Sequence, residues 1–413
     1  MSKLRNPLGR RALTTIFLTI LLDLIGFGMI LPLLPFYAQE FRATPVQIGL
    51  LFSSYSLSQL LFAPLLGRLS DRVGRRPVLL GSIAGGALSY LLFAFAPTYT
   101  VLLLSRSLAG VAAANYAIAQ AYMADVSSPE DRSRAMGLVG AAFGAGFILG
   151  PALGGLLAHA GAAMPTLGPR LVPLTAAALS AINFLMALFA LQESLSPELR
   201  SGTERSGDWL GLSGLRTVWR DAPLRGLMVL FFLVMFCFSM METTLALFCQ
   251  ARFGFGTRET SWLFVFVGVV LVVIQGGLLG RLIRRFGERA LILAGIVLMA
   301  AGLVLVPLTP VSIPPAWSRL WPLLLSLLLL AVGNGIHNPS SLGLLSRLTD
   351  ERSQGGTIGL SRSFGALARI FGPIAGTFVL GVAGEAWPFW TAGGLMLVAL
   401  AVAANVLREV SIV

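Results

Sequence analysis

Long apolar runs alternate with short polar turns along nearly the whole chain. Each run is close to the roughly 20 residues that an α-helix needs to cross the hydrocarbon core of a bilayer. Runs near 14–37, 46–66, 78–96, 100–123, 135–158, 171–191, 224–248, 260–280, 290–308, 320–346, 356–381 and 387–407 predict twelve transmembrane helices. The longest hydrophilic stretch, 192–223, divides them six and six. The expected fold is therefore an all-α integral membrane protein, with a six-helix bundle over 1–191, a cytoplasmic linker over 192–223 and a second bundle over 224–413. Lys3, Arg5, Arg10 and Arg11 precede the first run, which is too long for a cleavable signal peptide and reads as the first span.

Composition sharpens this picture. Of 413 residues, 56% are hydrophobic and 12% are charged, against roughly 25% charged in a soluble domain. A soluble enzyme, a nucleic-acid reader and a disordered chain are excluded, because none could hide so much apolar surface from water. The net charge of +12 follows the predicted topology. With the N-terminus inside, 22 of the 30 basic residues fall in inner loops and tails and five in outer loops. That bias predicts two cytoplasmic termini in a cell (inner or plasma) membrane. No glycine precedes a lysine, so a P-loop nucleotide site is excluded. Cys237 and Cys249 stand too far apart along one helix for a disulfide, and His159 and His337 form no metal cluster. No nucleophile–base pair with recognisable context points to an enzyme. The expected partners are a small-molecule substrate and the bilayer; no nucleic acid, metal or cofactor is expected, and the chain is expected to be a monomer.

The two halves also repeat. Gly67-Arg68-Leu69-Ser70-Asp71-Arg72-Val73-Gly74-Arg75 is echoed by Gly280-Arg281-Leu282-Ile283-Arg284-Arg285-Phe286-Gly287-Glu288. Glu130-Asp131-Arg132-Ser133 returns as Asp350-Glu351-Arg352-Ser353, and Gly150-Pro151-Ala152-Leu153-Gly154 as Gly372-Pro373-Ile374-Ala375-Gly376. Parallel repeats of this kind are the expected build of one transporter class, with substrate held between the halves near mid-membrane.

The segment Gly67 to Arg76 (GRLSDRVGRR) resembles the loop 2–3 motif of the major facilitator superfamily, and the resemblance covers essentially the whole chain. It implies a major facilitator fold with a cytoplasmic latch at Gly67, Asp71, Arg72, Gly74 and Arg75. Asp71 can accept hydrogen bonds from a facing helix N-terminus, where the dipole favours negative charge. Arg72, Arg75 and Arg76 can pair with acids such as Asp125; plain positive-inside topology would place the same arginines there without a latch. In span 5, Gly146, Gly150-Pro151 and Gly154 let two helix backbones approach closely. This pattern is similar to the glycine–proline motif of the superfamily's antiporters. Arg106 and Gly110 match the family's buried arginine four residues before a glycine, and an arginine within a span is by default functional.

Asp23 and Glu242 are the two acids placed inside spans. The context of Asp23, LLDLIGFGMILPLLP, is similar to the first helix of the tetracycline/proton antiporters. A carboxyl group deprived of water favours its neutral form, so it can load and release a proton near neutral pH. Glu242 shares a helical face with Met235, Phe238, Leu245 and Cys249, the soft surroundings an adaptable pocket for a lipophilic cation needs. The alternative for either acid is a structural ion pair with Arg106, Arg362 or Arg369. The run from Arg362 to Arg369 is similar to that of tetracycline-transporter-like members, including animal ones. Arg369 is placed deeper, either as the partner of Glu242 or as an attractor of an anionic substrate.

Further cavity candidates come from periodicity. Span 2 aligns Phe52, Tyr55, Gln59 and Phe62, and span 10 aligns Asn334, His337, Asn338 and Ser341. Asn115 and Gln120 in span 4 and Gln275 in span 8 join them, since polar side chains are disfavoured against lipid. Interhelical hydrogen bonding would explain such stripes equally well. The tetracycline antiporters carry further acids in their third and ninth helices, whereas spans 3 and 9 here contain no Asp or Glu. The resemblance therefore does not extend to a metal-chelated tetracycline as substrate.

The expected function is proton-coupled efflux, by alternating access, of small lipophilic compounds or drugs, with protons as coupling ion. The alternative is an organic-anion or lipid-like-metabolite carrier using Arg362 and Arg369. A membrane receptor or scaffold is a third reading, disfavoured by the loop motif and the two intramembrane acids.

Overall fold

The computed structural model describes residues 7–128, 131–164, 167–195, 219–310, 320–349 and 354–409. Most of the linker, the echo at 350–353 and part of its counterpart at 130–133 lie outside the described residues. Among the described residues all regular structure is helical. In chain order the helices are α1 (Pro7–Ile30), α2 (Leu34–Glu40), α3 (Pro45–Val73), α4 (Arg75–Ala94), α5 (Tyr99–Ala113), α6 (Asn115–Val126), α7 (Arg132–Gly161) and α8 (Gly168–Ala190). There follow α9 (Ala222–Phe253), α10 (Thr257–Val273), α11 (Leu279–Leu305), α12 (Trp321–Arg347), α13 (Gln354–Ala383) and α14 (Trp387–Glu409). A π-helical turn, Ile274–Leu278, joins α10 to α11.

Among the described residues, eleven helical runs are long and apolar enough to cross a membrane. One of them, Thr257–Leu308, has 52 residues, which at about 1.5 Å per residue is far longer than a single crossing. It is interrupted at Gly287, whose φ of 76° and ψ of 161° are not helical. Spans 8 and 9 meet there, and the total is twelve. The same device divides spans 2 and 3, where Gly74 has φ 110° and ψ 156°. Only glycine takes such a backbone at no steric cost, and the two glycines stand at equivalent places in the sequence repeat.

Other boundaries have equally local causes. Thr98 accepts a hydrogen bond from the Val101 amide at 3.4 Å and starts α5. Asp221, within the expected linker, accepts from the Leu224 amide at 3.0 Å and starts α9 just ahead of Pro223. Gly254, at φ 68°, ends α9 while its amide and that of Phe255 return to the last turn, a left-handed cap of the kind glycine favours.

The chain divides into two compact units. The first comprises Met1–Arg42, Ser54–Gly207 and Thr257–Val265; the second comprises Ala43–Ser53, Asp208–Gly256 and Phe266–Val413. In the first unit α1 packs on α7 and α8, and α4 packs on α5 and α8. In the second, α9 packs on α13 and α14, and α11 packs on α12 and α14. Spans 1, 3, 4, 5 and 6 thus repeat their neighbour relations in spans 7, 9, 10, 11 and 12. The first unit's core gathers Ile16, Leu79, Ile118, Tyr122, Met123 and Ala142. Large apolar side chains such as Phe189 (84% exposed) and Leu104 (59%) stand on the outside, where lipid, not water, is their solvent. Cys237 and Cys249 are free and buried.

Candidate functional site

Asp23 lies on α1, half-buried among four helices. Asn115, the first residue of α6, donates to its Oδ2 at 3.0 Å, and Asn183 on α8 donates to its Oδ1 at 3.0 Å. Asn183 is fully buried and donates a second hydrogen bond to the Thr19 carbonyl. Among the described residues no arginine forms an ion pair with Asp23; two neutral amides hold it instead. The alternative reading, an ion pair of Asp23 with Arg106, is not what the described residues form. The sequence singled out Asn115 but not Asn183, whose lone amide in an apolar span was the available signal.

Arg106 on α5 is 2% exposed. Its guanidinium lies over the Tyr55 ring at 5.0 Å, and its Nε has no partner. Gly110, one turn further, explains how it gets there: a methyl group at that position would collide with the Tyr55 carbonyl and Ser58. The glycine lets α5 touch α3 backbone to backbone. Tyr55 also stacks against Phe27 of α1 at 5.0 Å. Gln59 donates to the Ala113 carbonyl at 3.2 Å, and Gln120 donates to the Tyr116 hydroxyl at 3.0 Å. Phe52 is half-buried. Phe62, on the same stripe, is 38% exposed. Tyr90, which the sequence did not single out, is 8% exposed, and a methyl group at Gly26, one turn from Asp23, would sit 3.0 Å from its hydroxyl.

The span 5 glycines form the seam behind Asp23. A methyl at Gly146 would sit 2.5 Å from Leu24 Cβ, one at Gly150 would sit 2.7 Å from Gly28 Cα, and one at Gly154 would sit 2.6 Å from the Met29 carbonyl oxygen. Pro151 lies inside the continuous helix α7 and approaches Gly28. The second unit repeats the device around Glu242 on α9. A methyl at Gly372 would meet the Phe236 carbonyl at 2.9 Å, and one at Gly376 would meet Met240 Cα at 3.1 Å. Each acid-bearing helix is thus closely backed by a helix carrying a Gly-Pro pair.

Glu242 is half-buried, and the charge on Arg369 of α13 acts on it electrostatically. Arg362, one and a half to two turns earlier, is exposed. Met235 and Phe238 are half-buried near Glu242, whereas Leu245 and Cys249 are packed in the core. Asn334, His337 and Asn338 of α12 meet Phe231, Val234 and Met235 of α9 around a crevice too small for water. His337 is 1% exposed, with Nδ1 3.4 Å from the Ile292 carbonyl and Nε2 3.3 Å from the Ser341 hydroxyl. The amide oxygens of Asn334 and Asn338 are buried without partners. Gln275 is exposed within the π-helical turn, a distortion frequent at functional positions.

At loop 2–3, Arg75 is the hub. It pairs with Asp71 on the previous turn, donates to the Ser70 hydroxyl at 2.8 Å and meets Asp125 at 3.3 Å. Arg72 is exposed, and no atom lies within 4 Å of a methyl placed on Gly67. Among the described residues, Asp71 is engaged by Arg75. The carboxylate at a helix N-terminus is Glu193, which accepts from the Arg75 amide at 2.8 Å and the Arg76 amide at 3.3 Å. Ser194 donates to Asp125 at 3.0 Å, and Arg76 donates to the Leu188 carbonyl at 2.8 Å. The residues just after span 6 therefore close this cluster, and sequence reading had assigned them to the linker. Glu193→Ala is expected to destabilise the protein by about 1 kcal/mol, the usual worth of a capping side chain, read as a lower Tm in detergent. An unchanged Tm would show that water replaces the cap without loss.

Comparisons with known proteins agree with this architecture. A family profile described as Major Facilitator Superfamily matches residues 16–319 and 276–411. The tetracycline resistance protein, class E, of Escherichia coli is 36% identical over 92% of this chain and 91% of its own length. Major facilitator superfamily domain-containing protein 10 of Homo sapiens is 31% identical over 95% of this chain and 92% of its own length. The crystal structure described as the human organic anion transporter MFSD10 (TETRAN) superposes with a TM-score of 0.70 at 31% identity, covering 96% of this chain and 100% of that one. With twelve spans in two repeats and family-wide matches over nearly its full length, the chain belongs to the Major Facilitator Superfamily and is a multi-pass membrane transporter of small molecules.

Proposed function

We propose that this transporter is a proton-coupled exporter of small lipophilic compounds. The observation that carries the reading is the pair of intramembrane carboxyl groups, Asp23 and Glu242, one in each sequence repeat and each on a helix closely backed by a Gly-Pro helix. A coupling ion acts only by binding the inward-open and outward-open states unequally. Asp23, caged by neutral amides, changes its local net charge with every proton it gains, and so does work on that equilibrium. The similarity to tetracycline resistance proteins supports export. The lack of acids in spans 3 and 9 argues for a substrate other than a metal chelate. Both termini are cytoplasmic in this reading, as the arginine bias requires.

A second reading, an organic-anion carrier, is favoured by Arg362 and Arg369 on α13 and by the human relative described as an organic anion transporter. The two separate in proteoliposomes under an imposed pH gradient. The exporter reading expects a lipophilic cation such as tetraphenylphosphonium to move against the proton flux and a lipophilic anion such as tetraphenylborate to show no gradient-dependent carriage. Anion flux abolished by Arg369→Ala, with no cation flux, would replace the first reading by the second.

A further inference from the structure

A cavity lies away from both intramembrane acids, at the end of α1 opposite its N-terminus. It holds about 270 Å³ and is lined by Phe36, Tyr37 and Glu40 of α2 and by Met164 of the α7–α8 connection and Pro169 at the start of α8. All these residues belong to the first compact unit.

Its chemistry is one-sided. Glu40 is its only charged side chain, and no hydrogen bond or ion pair joins its carboxylate to another described residue. The basic residue next to Pro169, Arg170, is turned onto the Phe95 ring, with its guanidinium 5.3 Å from the centroid. The aromatic wall is held in place, because Tyr37 packs edge-on against Phe93 at 5.1 Å and 87°. Partial burial raises the Glu40 pKa, as expected for a charge whose water is partly replaced by apolar wall. A carboxylate beside aromatic faces and a thioether is the surface that attracts an ammonium group through charge and cation–π contact while sheltering its hydrocarbon. An anion is repelled, and a bare metal ion finds one carboxylate where it needs several oxygens. The volume falls just below the roughly 300 Å³ where drug-sized pockets begin, which selects a compact, single-ring ligand.

We propose that this cavity is a binding site for a small lipophilic amine, with the ammonium group on Glu40 and the ring between Phe36, Tyr37 and Met164. The site is separate from the proton-coupling acids. In the topology above it opens on the outer face, where an exported or extracellular amine meets the protein first.

The test is equilibrium dialysis of labelled phenethylammonium against the purified full-length protein in detergent, with protein-free micelles subtracted. Wild type is expected to bind one equivalent. Glu40→Gln, a near-isosteric change at an exposed helix end, and Met164→Trp, which fills the cavity, are each expected to weaken binding at least tenfold. The Asp23→Asn/Glu242→Gln double variant is expected to bind as wild type does, so failure of the export reading leaves this result untouched. Three outcomes overturn the proposal: no saturable binding to wild type, undiminished binding to Glu40→Gln, or equal binding of neutral phenethyl alcohol. Loss of binding in the double variant alone would place the amine at the intramembrane acids and overturn it as well.

Discussion

Replacing Asp23 by Asn and Glu242 by Gln in one chain is expected to reduce substrate-driven proton release to the level of protein-free buffer. Proton coupling needs states that differ in proton affinity, and a tenfold difference is worth about 1.4 kcal/mol at each site. Amides cannot titrate, so that free energy disappears with the carboxyl groups. Folding should survive the change at Asp23. Asn115 and Asn183 both donate to the carboxylate, so an amide there turns one of its own donors toward one of them. Asn183 can answer by rotating, because its buried Oδ1 has no present partner. Single variants assign the burden: whichever leaves release intact does not carry the coupled proton. Should the double variant still release protons on addition of a substrate that wild type exports, the proposed engine is wrong.

A comparably large loss is expected from Gly150→Leu. A methyl group at this position already falls 2.7 Å from Gly28 Cα and 2.9 Å from the Ile25 carbonyl oxygen. These are backbone atoms, which cannot rotate aside. Replacing glycine in a helix normally gains up to about 1 kcal/mol of propensity. Forcing apart two packed helices costs about 1–3 kcal/mol for small overpacking, and leucine adds three more carbons than alanine. The steric term therefore wins, and α7 must separate from α1 beside Asp23. Thermal unfolding in detergent and transport activity should both fall. Gly140→Ala provides the control, since it lies on the same helix with nothing within 4 Å of the added methyl; it should be neutral or stabilising. Equal effects of the two changes would show that the seam is not closely packed in the membrane.

The positions and number of the spans were legible because the bilayer imposes a single length on every apolar segment. The duplicated glycine turns at Gly74 and Gly287 were legible for a related reason: a positive φ restricts residue choice locally. The Gly-Pro stripe of span 5 announced close packing without naming its partner helix. Asn183 escaped notice because nothing in its own helix distinguishes an amide that holds a carboxylate 160 residues away from one that bonds a neighbouring backbone. Glu193 was misassigned for the same reason: a charged residue after a span looks like linker until a helix start, 117 and 118 residues earlier, is found to need it.

Sequence alone determined what obeys the solvent and the backbone: the membrane class, twelve crossings, the internal repeat and the two acids that lipid makes conspicuous. Tertiary structure decided the partnerships. It gave Asp23 two amides, set Arg106 over Tyr55, and put Glu193 on the first amides of α4. Periodicity shows only which face of a helix avoids lipid. The neighbour that meets that face is fixed by packing among distant segments, where a missing side chain at Gly110 or Gly150 counts for as much as any charge.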